Sequence, residues 1–356
     1  MLPSVQAYRG IAVLLVVLFH SSEFIKRKLG EAPFGDVFLT GFSGVFLFFV
    51  LSGFIILIAH ARDIGRPGRI GYYLSRRFIR IYPLYWLVLL SWGGWRVFTG
   101  GLAVPEFLSN AWLFSGRPTP LIAVSWTLAY EMLFYALFAA FLLRRSWGLL
   151  VFAGWLALLL PGTAIIPGLW ADPLNLLFFM GMAAGVVHLK ASVWDPARRN
   201  RIGLACLALG ATGFVATGRI YAGLGLPSDA WPAHPLTLLG FGFSSALMLA
   251  ACMAPELNRL LARRRLWLLV GNASYAIYLV HLSFGKLAWS LSRPLQPLWS
   301  ELPAVWAANL LTAWLAGLSV LAGILVHLMI EAPLLDALRG LLARKWARQP
   351  AAAVSG

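Results

Sequence analysis

Two side chains near the start of the sequence have a spacing that could support chemistry. Arg9 and His20 are eleven residues apart, and eleven steps of 100° come close to three full turns of an α-helix. Both side chains should therefore project from one helix face, about 16 Å apart along the axis. A histidine exchanges protons near neutral pH and an arginine binds anions. On spacing alone, an equally good interpretation places the two side chains at the water-facing ends of a spanning helix.

A second group of basic residues follows in the stretch YYLSRRFIRIYP, residues 72–83. Arg77 and Arg80 are three residues apart and share a helix face, with Arg76 beside them. Two guanidinium groups can bind a phosphate through bidentate hydrogen bonds. The simpler interpretation is that these arginines hold the chain against lipid phosphates on the cytoplasmic side.

Glu131, in the segment SWTLAYEMLFY of residues 125–135, is an acidic side chain in the middle of an apolar stretch. Thr127, Glu131 and Tyr135 recur at four-residue intervals, so they form one stripe on a helix. A carboxylate this deep needs a partner, and a cationic partner is expected. An ion pair that only joins two helices would explain Glu131 without any catalytic role.

A third polar stripe lies in the segment NASYAIYLVH, residues 272–281. Tyr275, Tyr278 and His281 are spaced by three residues and share one helix face. Tyrosines at a membrane interface and a histidine that only packs would explain this stripe without any function. The other histidines lie at the ends of apolar stretches or in loops, and no role is assigned to them: His60, His188, His234 and His327.

The composition indicates what kind of protein holds these residues. Of the 356 residues, 60% are hydrophobic and 12% are charged, whereas a soluble chain carries about 25% charged residues. Lipid must therefore be the solvent for most of the chain. The net charge of +16 then reflects loop orientation and anionic headgroups, and no nucleic-acid partner is expected. The two cysteines, Cys206 and Cys252, lie in apolar runs, so neither a disulfide framework nor a metal site is expected.

The apolar stretches predict an all-α polytopic membrane protein with about ten transmembrane helices. Their windows are 8–22, 38–61, 81–98, 121–143, 147–160, 174–189, 202–217, 236–253, 267–288 and 304–330. When these windows alternate in direction, about 21 of the 29 Lys and Arg residues fall on one side. Because cytoplasmic loops carry the excess of Lys and Arg, both the N and C termini are predicted to be cytoplasmic.

The sequence predicts a single transmembrane domain over residues 1–345 and a flexible C-terminal tail over residues 346–356. One segment of this domain is rich in small residues. Within GFSGVFLFFVLSGF, residues 41–54, Gly44, Ser52 and Gly53 would let two helices approach closely. We interpret this segment as a packing surface.

Six segments, in this order, resemble the acyltransferase-3 family of integral membrane O-acyltransferases. They are YRGIAVLLVVLFH with Arg9 and His20, SGVFLFFVLSGFII, RRFIRIYPLYW with Arg77 and Arg80, SWTLAYEMLFY, SYAIYLVH, and a closing Glu-x-Pro at Glu331 and Pro333. Each segment is a weak signal by itself. Six of them in the family's order are specific, and together they extend over nearly the whole chain.

The resemblance implies a bundle of ten helices in the bacterial cytoplasmic (inner) membrane. It would move an acyl group, most often acetyl, from cytoplasmic acyl-CoA to a hydroxyl of a cell-surface polysaccharide, lipid-linked sugar or other glycan, so polysaccharide O-acetylation is expected. The SGNH-type domain that some relatives carry is not expected here. Membrane lipids are expected partners, and the sequence leaves a homo-oligomer open. The alternative from another class is a transporter or flippase of a lipid or glycan precursor.

The resemblance also implies roles for the residues singled out above. Arg9, Arg77 and Arg80 are expected to bind the phosphates of acetyl-CoA. His20 is expected to be the general base that takes the proton from the acceptor hydroxyl, and Glu131 to fix its tautomer or to stabilise the imidazolium. An acyl-histidine intermediate is the second possibility. The residues expected to bind substrate or to support the site are Tyr135, Tyr275, Tyr278 and His281.

Overall fold

The computed structural model describes residues 2–113, 120–159, 168–225, 232 and 234–347, and these residues form helices without any β-strand. The predicted all-α class is therefore confirmed for this part of the chain. Most of the predicted C-terminal tail, from residue 348 onward, lies outside it. The α-helices, in chain order, are α1 Pro3–Leu29, α2 Ser43–His60, α3 Ile70–Leu89, α4 Trp95–Phe98, α5 Val104–Ala111, α6 Trp126–Leu143, α7 Arg145–Leu158, α8 Leu176–Lys190, α9 Pro196–Gly223, α10 Pro235–Ala250, α11 Pro255–Ala262, α12 Arg265–Ser292, α13 Gln296–Ser300, α14 Ala304–Val326 and α15 Ala332–Ala347.

Eight helical stretches of the described residues are long and apolar enough to cross a membrane: Pro3–Leu29, Pro33–Asp63, Ala123–Leu143, Pro173–Val193, Pro196–Gly223, Pro235–Met253, Arg265–Ser300 and Ala304–Trp346. Each of the ten predicted windows overlaps at least one helix, and eight of the ten overlap these stretches. The third window falls on α3 and α4, and the first eleven residues of α3 include three arginines. The fifth falls on α7, which is apolar but only 14 residues long.

Several helices extend well beyond the apolar windows that predict them. α3 begins at Ile70, eleven residues before its window, and α9 covers Pro196–Gly223 rather than 202–217. α9 starts early because Asp195 caps it, with its side chain accepting a 2.9 Å hydrogen bond from the backbone N–H of Arg198. Hydropathy detects only the lipid-facing part of a helix, whereas arginines are good helix formers and continue the helix past that part.

The chain groups into two compact units, each built from two separate segments. Unit 1 contains residues Met1–Ala59 and Leu176–His327. Unit 2 contains residues His60–Asn175 and Leu328–Gly356. The two units are described separately below.

In unit 1, α1 and α12 lie side by side and run in the same direction. Near their starts Gly10 and Gly271 face each other, and a Cβ atom on Gly271 would collide with the backbone oxygen of Gln6. Ten residues further along each helix, the ring centroids of His20 and His281 are 5.2 Å apart. Equal intervals on both helices mean that they stay parallel and in register over about 15 Å. Close backbone packing at two glycines therefore brings two histidines together.

The small residues of α2 form the packing surface that the sequence predicts. A Cβ atom on Gly53 would collide with the backbone oxygen of Phe178 on α8, and one on Gly181 of α8 would collide with the backbone oxygen of Val50. A Cβ atom on Gly44 would collide with the backbone oxygen of Ala12 on α1. α2 is therefore in backbone contact with helices on two sides, which confirms the prediction for Gly44 and Gly53.

In unit 2, α3 packs against both α6 and α15. The hydroxyl of Tyr73 on α3 donates a 3.0 Å hydrogen bond to the backbone oxygen of Tyr135 on α6. Toward α15, Tyr72 near the start of α3 contacts Trp346, while Arg80 further along contacts Glu331. α3 and α15 are therefore antiparallel, and the arginine-bearing half of α3 lies among side chains of two other helices.

Candidate active site

His20 and His281 form a pair of rings on the parallel helices α1 and α12. Their centroids are 5.2 Å apart and the ring planes are inclined by 35°. His281 is buried, with 3% of its surface exposed, whereas the side chain of His20 is 30% exposed. Of the two rings, His20 is therefore the one that a substrate can reach.

The hydrogen bond of His281 fixes which of its nitrogens carries the proton. Its Nδ1 lies 2.7 Å from the backbone oxygen of Tyr278, and a carbonyl oxygen can only accept. Nδ1 is therefore the donor, and Nε2 of the neutral ring carries the lone pair. This Nε2 atom is buried and has no hydrogen-bond partner among the described residues. His281 thus presents an acceptor nitrogen in the part of unit 1 that holds His20.

The other side of His20 faces a carboxylate on the same helix. Oε2 of Glu23, one turn further along α1, lies 4.0 Å from Nδ1 of His20. Glu23 also binds Arg27 through its Oε1 at 3.2 Å. A negative charge at this distance favours a proton on Nδ1 and stabilises the imidazolium once the ring is protonated. Glu23 is not among the predicted site residues, although its three-residue spacing from His20 is a local signal.

Arg9 is on α1 with His20, as the spacing predicts, and the helix is continuous between them. Its Nη1 donates a 3.3 Å hydrogen bond to Oε1 of Gln6. The tyrosines of the third stripe are on α12 and are largely buried, with 9% of Tyr275 and 7% of Tyr278 exposed. The Tyr278 ring lies 5.9 Å from the His281 ring, so it forms part of the surroundings of the histidine pair.

Arg77 occupies an aromatic and polar setting in unit 2. Its guanidinium carbon lies 5.8 Å from the ring centroid of Tyr73 and 5.6 Å from that of Tyr135. The Tyr135 hydroxyl in turn donates a hydrogen bond to Oε1 of Glu131. The predicted stripe of Glu131 and Tyr135 is therefore real, and it supports Arg77 through the tyrosine ring.

A histidine that received no role from the sequence contacts Arg77 directly. Nη2 of Arg77 is 3.2 Å from Nε2 of His60, and Nδ1 of His60 is 2.9 Å from Oδ2 of Asp63. Asp63 also faces Nε of Arg69 at 3.4 Å. The signal that could have revealed this group is local, because His60 and Asp63 are three residues apart at the end of an apolar span.

Arg80 has a different partner from Arg77. Its Nη1 donates a 2.5 Å hydrogen bond to Oε1 of Glu331, and only 1% of the Glu331 surface is exposed. The two residues are 251 positions apart in the chain. Although Arg77 and Arg80 share a helix, the structure gives them separate partners, so the joint binding of one anion by both arginines stays a prediction. Glu331, from the Glu-x-Pro segment, is the acidic partner that the sequence did not assign.

An open cleft of about 450 Å³ lies alongside Arg77 in unit 2. Most of its wall is apolar, and the polar residues that line it are Ser75, Arg77 and Tyr135. A cleft of this kind fits an extended chain that carries an anionic group at one end. The apolar side chains that line it include Leu74, Phe78, Met132 and Leu342.

The structure therefore groups the predicted residues into two sets. Arg9, His20, Tyr275, Tyr278 and His281 lie in unit 1, and Arg77, Arg80, Glu131 and Tyr135 lie in unit 2. His20 and Glu131 belong to different units, so the expected action of Glu131 on the tautomer of His20 stays a prediction.

Ionisable groups inside the helices of a polytopic membrane protein are typical of two classes of protein, membrane enzymes and transporters. The family comparison distinguishes these classes. The acyltransferase domain of the acyltransferase-3 family matches residues 2–328 of the chain. The chain therefore belongs to this family, and it is a multi-pass membrane acyltransferase.

Curated relatives agree with this assignment. The chain is 31% identical over 342 residues to the exopolysaccharide production protein ExoZ of Rhizobium meliloti (strain 1021), covering 90% of this chain and 94% of the relative. It is 29% identical over 162 residues to the peptidoglycan O-acetyltransferase OatA of Listeria monocytogenes serovar 1/2a (strain ATCC BAA-679 / EGD-e), covering 40% of this chain and 24% of the relative. No solved structure matches the chain significantly.

Proposed function

We propose that this acyltransferase moves an acetyl group from acetyl-CoA, on the cytoplasmic side of the bacterial inner membrane, to a hydroxyl of a glycan acceptor. The names of two relatives, one in exopolysaccharide production and one a peptidoglycan O-acetyltransferase, support a glycan as the acceptor class. The observation that carries the proposal is the partly exposed His20 ring, with Glu23 facing its Nδ1 and the His281 ring beside it.

His20 acts as the general base. Because Nδ1 of His20 faces the Glu23 carboxylate, Nε2 is the nitrogen that accepts the proton. As the acceptor oxygen forms its bond to the thioester carbonyl carbon, Nε2 takes the hydroxyl proton. The carbon–sulfur bond then breaks, and the imidazolium returns the proton to the departing thiolate. The products are an O-acetyl ester and the free thiol of coenzyme A.

Positively charged side chains bind the acyl donor, acetyl-CoA. Arg77 is the leading residue for binding the phosphates of coenzyme A, because it is a basic residue that lines a cleft suited to an extended arm. Arg9 is a second candidate, from unit 1. Arg80 contributes to the positive potential but keeps Glu331 as its partner, so we expect it to contribute less to donor binding.

The experiment is an assay of the full chain, purified into lipid nanodiscs, with acetyl-CoA and glycan acceptors. We expect free thiol to appear only when an acceptor is present, and mass spectrometry to find the acceptor heavier by one acetyl group. Cells with and without the gene supply the acceptors, because the surface glycan that loses acetyl groups in the deletion is the acceptor to use. Transport of a glycan precursor without thiol release would support the transporter alternative and overturn the proposal.

A covalent route through His20 gives a different result in the same assay. If His20 itself attacked the thioester, acetyl-CoA alone would label the peptide that contains His20, and some thiol would appear before any acceptor is added. We expect no such label, because Glu23 faces Nδ1 of His20 and leaves Nε2 to act as the base.

A further inference from the structure

We infer that His60 and Asp63 are positioning residues for Arg77, and that they hold its guanidinium ready for the phosphates of the acyl donor. The inference deepens the proposed function and rests on it. No role in donor binding follows for His60 from its sequence context. The contacts of unit 2 supply that role, one step at a time.

The chemistry of the partners fixes the direction of both hydrogen bonds of His60. A guanidinium can only donate, so Nε2 of His60 must accept from Nη2 of Arg77 at 3.2 Å. The imidazole proton is then on Nδ1, which donates to Oδ2 of Asp63 at 2.9 Å. A carboxylate can only accept, so both bonds fit one tautomer of a neutral ring. Asp63 therefore fixes His60 in the form that can bind Arg77.

The side chains of His60 and Asp63 are mostly shielded from solvent. The side chain of His60 is 8% exposed and that of Asp63 is 16% exposed. The His60 ring also packs edge-on against Tyr73, with centroids 4.8 Å apart. A ring held by packing and by two hydrogen bonds can fix the position of the group that it accepts from.

The contacts of Arg77 determine which of its N–H groups are left to bind a ligand. Its guanidinium is bound to His60 and lies over the rings of Tyr73 and Tyr135. Nε of Arg77 is buried and donates to no atom of the residues that the structure describes. A guanidinium held in this way keeps donors for phosphate oxygens while it loses little freedom on binding them. Preorganisation of this kind changes the affinity of the protein for the acyl donor and does not change the rate of the chemical step.

The experiment compares three substitutions at His60 in the full chain in nanodiscs. Gln can accept from Arg77 through its amide oxygen, Asn is polar but one carbon shorter, and Leu cannot accept at all. The measurements are KM for acetyl-CoA, kcat, and the Kd for coenzyme A by calorimetry. His60→Leu should raise KM and Kd about tenfold with kcat within about twofold, and His60→Gln should stay within about threefold of wild type. His60→Asn should resemble His60→Leu, and it carries the test if the Leu variant does not fold.

Two controls distinguish the positioning of Arg77 from a nonspecific effect of the substitution on the structure. His188→Leu removes another half-buried histidine, which packs on Phe54 in unit 1, and should leave KM and Kd unchanged. In an Arg77→Ala background, His60→Leu should add no further increase in KM, because it acts through Arg77.

The outcomes separate this inference from the proposed function. If wild-type protein neither binds coenzyme A nor uses acetyl-CoA, the proposed function fails and the role of His60 fails with it. If wild-type protein binds coenzyme A and His60→Leu binds it equally well, only the positioning role is overturned. Equal losses in His60→Gln and His60→Leu would also overturn it, because the acceptor atom would then not matter.

Discussion

In unit 1, two histidines face each other on parallel helices, whereas in unit 2 two neighbouring arginines each bind a partner from another part of the chain. His281 keeps one nitrogen without a hydrogen bond among the described residues. Arg77 is bound by His60, and Arg80 by Glu331. A group that must change its protonation state needs a free lone pair, whereas a group that must keep its charge in an apolar setting needs partners.

This difference suggests a division of labour between the two units. Unit 1 provides the groups suited to proton transfer, and unit 2 provides the groups suited to binding an anion. Substitutions at the histidine pair of unit 1 should therefore act on kcat, and substitutions around Arg77 should act on KM for the acyl donor.

The largest expected effect comes from His20→Ala in unit 1. Without the base, kcat should fall about 10³-fold while KM for acetyl-CoA changes little. Thiol release from acetyl-CoA measures both constants. His188→Ala is the matched control in the same unit and should keep the kcat of wild type. Equal kcat values for His20→Ala and wild type would remove His20 from the reaction.

The second effect is on stability and concerns Arg80. Glu331→Gln removes a buried carboxylate from its arginine, so the free energy of unfolding should fall by about 3 kcal/mol. Replacing both residues, Arg80→Met with Glu331→Leu, should recover most of this loss because no charge is left without its partner. Unfolding in detergent measures the free energy, and thiol release measures KM. A KM of the double variant as high as that of Arg77→Ala would place Arg80 in the donor site.

The third effect tests unit 2 directly. Arg77→Ala should raise KM for acetyl-CoA about 30-fold, because it removes charged hydrogen bonds to phosphate, while kcat stays within about threefold. Arg77→Lys should recover part of the loss, since it restores the charge but not the planar donors. Arg76→Ala is the matched control, because Arg76 is the exposed neighbour on the same helix. A fall in kcat with KM unchanged would contradict the division between the units.

A smaller effect is expected at His281. His281→Asn can still donate to the backbone oxygen of Tyr278 but loses the acceptor that Nε2 provides, so kcat should fall about tenfold. The same thiol assay applies, with thermal unfolding as a check on folding. If kcat is unchanged, His281 only packs against its neighbours, which is the simpler interpretation of its sequence context.

The smallest effect distinguishes two carboxylates. Glu23→Gln should lower kcat about threefold, because Glu23 faces His20, whereas Glu131→Gln should mainly raise KM through Tyr135 and Arg77. Steady-state constants for both variants decide the matter. A larger loss of kcat in Glu131→Gln than in Glu23→Gln would restore the role toward His20 that the sequence suggests for Glu131.

Much of the fold can be predicted from the sequence because membrane helices leave a strong local signal. Each apolar window overlaps a helix, and the glycines of residues 41–54 do pack closely. Contacts between residues on one helix can also be predicted from their spacing, as the hydrogen bond between Glu131 and Tyr135 shows. These features depend only on the helical repeat and on hydropathy.

The partners of the site residues are harder to predict, because they come from distant parts of the chain. Arg80 and Glu331 are 251 residues apart, and His20 meets His281 from another helix. Periodicity tells which face of a helix is polar but not which helix covers that face. His60 illustrates a different failure. Its contact with Asp63 is local, but a histidine at the end of a span resembles an ordinary interfacial residue.

The contact between α1 and α12 also limits how the chain can change in length. Gly10 and Gly271 fix the two helices at one level, and the two histidines meet ten residues later on both. Inserting one residue between Gly10 and His20 would turn the His20 ring by about 100° away from its neighbour and move it about 1.5 Å along the axis. In related chains, insertions and deletions should therefore be excluded from these two ten-residue intervals and should accumulate in the loops outside them.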